Sequence, residues 1–426
     1  MAILLGRAGY EVELCERRAD PREDRAPEGR SINLALSTRG LYALERAGVL
    51  EPVLALATPM RGRMIHDEQG ALTFQPYGPL PEHAIHSVSR AELNRLLIAA
   101  ADQLENVRIR FEHKCVEVDL ERPAVTLEHG PSGEPLVAEA DAVIGADGAF
   151  SALRSVMQRQ ERFSFEQAYL DHGYKELTIP PGPGGQHRME PNALHIWPRG
   201  GFMMIALPNL DGSFTCTLFW PFEGPHGFAA VSDERKLRQL FESTFPDALA
   251  LMPTLIEDYF QNRTGSLVTI RCRPWRCEGK ALLLGDSAHA VVPFYGQGAN
   301  AAFEDCALLA DAIERHDGRL EQAFAEFETQ RKRHVDALSE LALANYVEMR
   351  DHTASRWFVF RKKLEQLAHF LLPSWYVPLY TMVTFTRIPY GEARRRAARQ
   401  ARVVRWALGS LGVGLAALIL GALVWR

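Results

Sequence analysis

Two short apolar runs, each closed by a glycine and an acid, constrain this chain more than any other feature. The longer context is Lys280–Ala302, KALLLGDSAHAVVPFYGQGANAA. Ala281–Leu284 reads as a buried strand bounded by Gly285, with Asp286 at its C-terminal edge. After a turn containing Pro293, Gly296-Gln297-Gly298 leads into a helical pattern over Ala299–Ile313. Strand, acid, then glycine-rich helix start can hold an anionic, sugar-bearing ligand: the carboxylate accepts from hydroxyls, and unpaired helix-start amides face charge. The same residues serve equally well as an ordinary strand–helix turn whose glycines cap a helix.

A second stretch separates these readings. Ala142–Arg154, AVIGADGAFSALR, again runs from a buried-strand pattern, Val143-Ile144, into Gly145-Ala146-Asp147-Gly148. Together the two junctions resemble the paired fingerprints of flavoprotein aromatic hydroxylases, which hold FAD in a doubly wound α/β fold. The resemblance implies that Asp286 contacts the ribityl chain of FAD. It also implies that Asp147 and Gly148 serve flavin and pyridine-nucleotide handling.

The chain has 426 residues, 47% hydrophobic and 24% charged, enough for a globular body of two or three domains. A net charge of -5 does not point to nucleic acid. Six scattered cysteines have neither disulfide nor metal-ligand spacing, so no metal is expected. No internal repeat and no signal peptide with a charged start is read.

At the N-terminus, Met1–Gly9 reads as the last turns of an apolar helix, and Tyr10–Cys15 alternates as a strand ending at Glu16. In a dinucleotide fold this is the second strand, and Glu16 is its ribose-binding acid. The first strand and the GxGxxG turn are not found in this sequence. The expectation is that the chain begins late; the alternative is a degenerate relative.

Further along, His86–Leu97 supplies a helix start at Ser89 with Glu92 three residues later. The runs RSINLALS, MRGRM, QPYG, HGYKEL, EPNALHIWP, IALPNLDGSFTCTLF, VPFYGQGAN, NYVEM and YTMVTF resemble the kynurenine 3-monooxygenase family over nearly the whole chain. By that resemblance Arg63 clamps the amino-acid carboxylate of kynurenine, with Tyr77 and Asn345 beside it and Tyr380 as a further hydrogen-bonding wall. Phe219, Phe294 and Met349 pack the aromatic ring. Arg90 lies near the phosphate and ribityl region of FAD, and Gly296, Gln297, Gly298, Ala299 and Asn300 face the flavin. A planar guanidinium meeting a carboxylate is a strong, bidentate pairing. Where bacterial relatives follow the Phe of the VPF motif with histidine, this chain has Tyr295.

Ala193–Trp197, Phe202–Leu207 and Ser213–Trp220 alternate as strands, with Asn209–Gly212 as a hairpin turn and Tyr169–Leu177 as an edge. His195, beside Trp197, reads as a packed histidine rather than a catalytic one. Asp233–Tyr259 reads as helix and Gly265–Arg273 as strand. The implied chemistry is hydroxylation of kynurenine at ring carbon 3 with NADPH and O2, through a C4a-hydroperoxide of the flavin, without a catalytic side chain. Two rivals remain: a hydroxylase of another aromatic acid, and a non-catalytic, membrane-attached relative unable to bind FAD.

The tail is a separate matter. Arg394, Arg395, Arg396, Arg399, Arg402 and Arg405 precede Trp406–Trp425, an uncharged run flanked by tryptophans. Its length, roughly 30 Å as a helix, matches a bilayer core, and the arginines predict a cytoplasmic side. The expected fold is α/β, a doubly wound FAD-binding sheet interleaved with an antiparallel substrate sheet, then C-terminal helices and a transmembrane helix. The expected divisions are 1–60, 81–160 and 275–340 for FAD, 61–80 and 161–274 for the substrate sheet, 341–400 helical, and 406–425 as anchor. The lipid bilayer is therefore an expected partner, with a cytoplasmic catalytic body attached to it.

Overall fold

The computed structural model describes residues 1–23, 32–78, 80, 82–348, 372 and 375–404. The chain opens with α1 (Ala2–Arg7), β1 (Val12–Cys15), β2 (Asn33–Leu36), α2 (Thr38–Arg46) and α3 (Leu50–Ala55). Next come β3 (Ala57–Met60), β4 (Gly62–His66), β5 (Leu72–Pro76), β6 (Ile85–Ser89), α4 (Arg90–Asp102) and β7 (Val107–Arg110). Strands β8 (His113–Asp119), β9 (Ala124–His129) and β10 (Pro135–Glu139) precede β11 (Val143–Gly145) and α5 (Ala152–Met157). The middle holds β12 (Ser164–Ile179), β13 (Ala193–Pro198), β14 (Met203–Pro208) and β15 (Phe214–Pro221). Helices α6 (Glu234–Thr244), α7 (Pro246–Leu249) and α8 (Leu255–Gln261) lead to β16 (Gly265–Arg273), β17 (Arg276–Cys277) and β18 (Ala281–Leu283). Last are α9 (Asp286–His289), α10 (Gly298–Arg315), α11 (Leu320–Val347) and the helix Leu379–Thr384, with helix again over 390–404.

Two parallel pairings carry the cofactor-type elements. β1 pairs with β7, and β11 pairs with β18, in register Val143↔Ala281 to Gly145↔Leu283. Among the described residues no strand bridges these pairs, so β1 and β11 each keep one edge without a partner. Apolar residues of β11 and β18 pack with α10 and α11 in one core built on Leu282, Leu283, Leu309, Phe324 and Phe327.

The second body is a seven-stranded sheet in the order β16-β12-β15-β14-β13-β4-β5. One face packs on α6–α8 around Trp197, Trp220, Phe241 and Phe245. The other face carries Ile65, Ile196, Met203 and Phe219 against Phe294, Tyr295, Leu338 and Tyr346. The β14–β15 hairpin turns at Asn209–Gly212, where Asn209 N–H donates to the Ser213 carbonyl at 2.9 Å.

Two expectations need correction, and one sheet has no counterpart among them. Tyr169–Leu177 is not an edge: β12 is a long strand whose inner half pairs with β15 and whose outer half pairs with β16. The three-stranded sheet β8–β9–β10 went unread, because its strands expose residues on both faces and offer no apolar stripe. The fold class loses its transmembrane helix: among the described residues no helix is long and apolar enough to cross a membrane. The expected anchor, 406–425, lies outside the described residues. Among the described residues nothing supports the lipid bilayer as a partner or attachment to it as a location.

Candidate active site

The two acid-bearing turns are one unit. Ser287 Oγ accepts from Leu284 N–H at 2.9 Å and reaches the Gly145 carbonyl at 2.5 Å, tying the end of β18 to the end of β11. Arg154, buried in α5, donates from Nη1 to the Ser287 carbonyl at 2.7 Å. Asp147 turns one carboxylate oxygen onto the start of α5, accepting from Ala152 N–H at 2.6 Å, as a short acidic side chain at a helix start should. Gly148 follows in the left-handed region, at φ 80°.

Asp286 follows Gly285, whose φ of 63° strains any side chain and where a Cβ would sit tightly, 3.2 Å from the Ala302 Cβ. The Asp286 side chain is reached by solvent although protein crowds around it. Burial raises its carboxyl above the usual range, opposed by His289 and Arg90. It has no hydrogen-bond partner among the described residues.

Gly296 (φ 65°) turns the chain into α10. The amides of Gly298, Ala299 and Asn300 precede the first intrahelical bond, Ala301 N–H to the Gln297 carbonyl at 2.8 Å. They are therefore available to an acceptor. The side chains of Gln297 and Asn300 point elsewhere. Asn300 Oδ1 accepts from Ser37 N–H at 2.8 Å, and its Nδ2 donates to the Ala35 carbonyl at 2.8 Å. Gly40 is required beside it, since a Cβ there would lie 2.4 Å from Asn300 Oδ1. Gln297 Nε2 donates to Ser37 Oγ at 3.2 Å. Both side chains lock the loop to the β2–α2 junction, leaving the backbone amides as its unpaired donors.

Beneath α10 lies a buried charge network that the sequence did not announce. Glu304 accepts from Arg39 Nη1 at 2.6 Å and from Arg331 Nη1 at 2.7 Å. Asp305 accepts from Arg331 Nε at 2.5 Å and pairs with His289 Nε2 at 2.6 Å. Burial works against the Asp305 carboxylate, but His289 and Arg331 together pull it below the usual range. The only sequence signal was two acids on the helix face that also carries buried Ala301, Leu309 and Ala312.

At the far end, Glu16 follows β1, half-buried, and its Oε1 accepts from Arg18 N–H at 2.9 Å. Arg90 opens α4, capped by Ser89.

The sheet face opposite holds an aromatic cage around a cation. Arg63 on β4 has its guanidinium carbon 4.6 Å from the Tyr380 ring centroid and 5.9 Å from that of Tyr77. The Tyr77 and Tyr380 rings stack at 5.3 Å, and Tyr295 stacks on Tyr380 at 5.7 Å. Arg63 Nε and the Tyr77 hydroxyl are buried without a hydrogen-bond partner among the described residues. Burial opposes the Arg63 charge, yet Tyr380, Tyr77 and Glu348 raise its basicity overall. Phe219 and Phe294 meet edge to face at 4.9 Å, and Tyr346 stacks on Phe294 at 3.9 Å. Asn345 Nδ2 donates to the Phe294 carbonyl at 2.6 Å. Met349 lies outside the described residues. His195 is buried on the other face of the sheet, bonded to His66 at 2.9 Å and to the Glu190 carbonyl at 2.9 Å.

The FAD binding domain family matches residues 1–342. The kynurenine 3-monooxygenase of Myxococcus xanthus is 47% identical over 398 residues, 93% of this chain and 86% of that protein. The chain belongs to the kynurenine 3-monooxygenase family. The Anopheles gambiae kynurenine 3-monooxygenase is 41% identical and covers 100% of this chain and 87% of its own length. Among solved structures, tetrameric 2-methyl-3-hydroxypyridine-5-carboxylic acid oxygenase superposes with a TM-score of 0.65 at 24% identity, over 83% of this chain and 89% of that one. The p-nitrophenol 4-monooxygenase PnpA of Pseudomonas putida gives 0.66 at 20%, covering 87% and 93%. Both share the fold.

Proposed function

We propose that this chain is an NADPH- and FAD-dependent monooxygenase that hydroxylates kynurenine at ring carbon 3 with O2. One observation carries the reading: a single turn serves both halves of the site. Phe294 belongs to the aromatic wall, and Gly296 and Gly298, two and four residues on, form the amide-rich start of α10. A ring packed on Phe294 therefore lies beside whatever the helix start holds.

The residues present fit FAD. Asp286 is an enclosed carboxylate without a partner, suited to ribityl hydroxyls, and the amides of Gly298–Asn300 suit an electron-rich ring edge. Glu16 suits the adenosine ribose, Arg90 the phosphate side, and Asp147-Gly148 the flank shared with NADPH. FAD, reduced by NADPH, supplies oxygen activation when bound. The chain's own residues bind, orient and keep the site dry. Arg63 pairs with the substrate carboxylate, with Tyr77, Tyr380 and Asn345 bordering it. Phe219, Phe294 and Met349 hold the aromatic ring and exclude water. No protein nucleophile is required. As part of this proposal, 1–60, 81–160 and 275–340 form the FAD-binding unit, 61–80 and 161–274 the substrate sheet, and 341–400 the closing helical region.

The test is flavin content by visible spectrum, followed by NADPH oxidation and product analysis with kynurenine and with salicylate-type acids. Formation of 3-hydroxykynurenine, with the other acids inert, is the expected result. Preferential turnover of another aromatic acid would overturn the substrate assignment.

A further inference from the structure

The three-stranded sheet β8–β9–β10 takes no part in the site described above, yet it sets two histidines side by side. His113 on β8 is the direct cross-strand partner of His129 on β9, so both side chains rise from one face of the sheet. Their ring centroids lie 5.0 Å apart, with the planes tilted by 46°. Both residues are half-buried, and neither has been given a role.

Hydrogen bonds fix which nitrogen each ring leaves free. His113 Nδ1 lies 2.6 Å from the Phe111 carbonyl. A carbonyl only accepts, so Nδ1 carries the hydrogen and Nε2 of the neutral ring presents a lone pair. His129 Nδ1 lies 2.8 Å from Ser132 Oγ, which also accepts from Glu134 N–H at 3.3 Å. With Nδ1 donating to that hydroxyl, His129 Nε2 is likewise a lone pair. The antiparallel register puts Phe111 and Ser132 at the same end of the His113↔His129 pair, where Gly130 N–H also donates to the Glu112 carbonyl at 2.7 Å. Both Nδ1 atoms point to that end, so the two Nε2 atoms stand together at the other. Neither Nε2 makes a hydrogen bond among the described residues.

An imidazole held through Nδ1, with Nε2 free, is the form in which histidine ligates a metal. A metal about 2.0–2.1 Å from a ring nitrogen lies roughly 3.2 Å from that ring's centroid, so two rings sharing it at a near-tetrahedral angle have centroids about 5 Å apart. The His113–His129 spacing meets this without moving either strand. We propose that His113 and His129 form a two-nitrogen site for a borderline divalent transition-metal ion bridging β8 and β9. Among the described residues no third histidine, cysteine or acid closes on the pair, so water completes the coordination. Two neutral nitrogens suit Zn(II), Ni(II) or Cu(II), whereas Mg(II) and Ca(II) require oxygen ligands. The site also touches the cofactor side through the backbone. His113 N–H donates to the Glu16 carbonyl at 2.9 Å, and Glu112 N–H to the Arg18 carbonyl at 2.8 Å. An ion on the pair thus fastens the hairpin on which the Glu16 loop rests, and no part of it depends on bound FAD.

The experiment is calorimetric titration of the untagged full chain, near neutral pH, with zinc chloride, nickel chloride and magnesium chloride. Zinc and nickel should each fill a site of one ion per chain in the micromolar range, and magnesium should give no binding. His113→Gln and His129→Gln each remove one arm of a chelate and should each weaken zinc binding by about 100-fold. Zinc affinity equal to wild type in either variant would overturn the proposal, as would a wild type that binds no zinc. Magnesium bound as tightly as zinc would overturn the nitrogen-ligand assignment. Should a variant fail to fold, wild type alone decides, through diethyl pyrocarbonate labelling of its histidines mapped by mass spectrometry with and without zinc. Protection of both His113 and His129 by zinc is the expected result, and unchanged labelling of either ring would overturn the site.

Discussion

The Tyr390 hydroxyl donates to the Gln297 side-chain oxygen at 3.2 Å, and the Tyr390 ring lies over Arg39 with the guanidinium carbon 4.1 Å from its centroid. The C-terminal segment thus props up the glycine loop from below. Tyr390→Phe removes one hydrogen bond, an effect of about 1 kcal/mol, and should weaken FAD retention by about threefold to fivefold with little change in melting temperature. Tyr390→Ala empties a fully buried position and should cost about 3–5 kcal/mol. Flavin dissociation and thermal melts separate the two effects.

Arg63 sits over two tyrosine rings, those of Tyr380 and Tyr77, with its Nε unpaired among the described residues. Arg63→Ala removes a charge-assisted partner of the substrate carboxylate, about 2–3 kcal/mol. The expected outcome is a rise in the kynurenine KM of about 30- to 150-fold and weaker stimulation of flavin reduction by substrate. Steady-state and stopped-flow kinetics check it; an unchanged KM would refute the carboxylate assignment.

Glu304 bridges Arg39 and Arg331 in the core beneath α10. Glu304→Gln leaves the buried Arg39 guanidinium with a neutral partner and Arg331 with Asp305 alone, and should destabilise the fold by about 3–5 kcal/mol. Replacing Arg39, Glu304, Asp305 and Arg331 together by apolar residues of similar size, so that no buried acid is stranded, should recover much of that loss. Denaturant melts of the single and quadruple variants compare them, and a quadruple variant no more stable than the single would count against the desolvation argument.

His195 is buried and bonded at both ring nitrogens, and burial pushes its pKa down to about 4. The unfolded chain therefore takes up a proton near the ordinary histidine value while the folded chain does not. This contribution to stability is complete above about pH 6.5, is lost as pH falls toward 4, and amounts to ~3 kcal/mol at most. His195→Asn should flatten this limb of the stability–pH curve, as read by melts across the acid range.

Much of the architecture was legible in short apolar runs closed by acids. β11, β18, the β14–β15 hairpin and the Ser89 cap follow from local pattern and turn chemistry. β12 was misjudged because its outer half is exposed along its length, which reads as an edge, whereas pairing with β16 makes it internal. At the site, Asp286 and the glycines of the α10 turn stand where strand ends must place them. The family resemblance implies that Gln297 and Asn300 face the flavin. Their side chains instead meet Ser37, which lies about 260 residues away in sequence and which no local pattern can bring there. The same long separation hid the Arg39–Glu304–Arg331 network.

Those separations also set an order of assembly. The loop at the start of α10 takes its shape from Ser37 at one end of the chain and Tyr390 near the other. Contacts so distant along the chain form late, after loop closure has been overcome. During synthesis the loop lacks its Tyr390 support until that residue has left the ribosome, so a nascent chain paused earlier holds the loop by its Ser37 side alone.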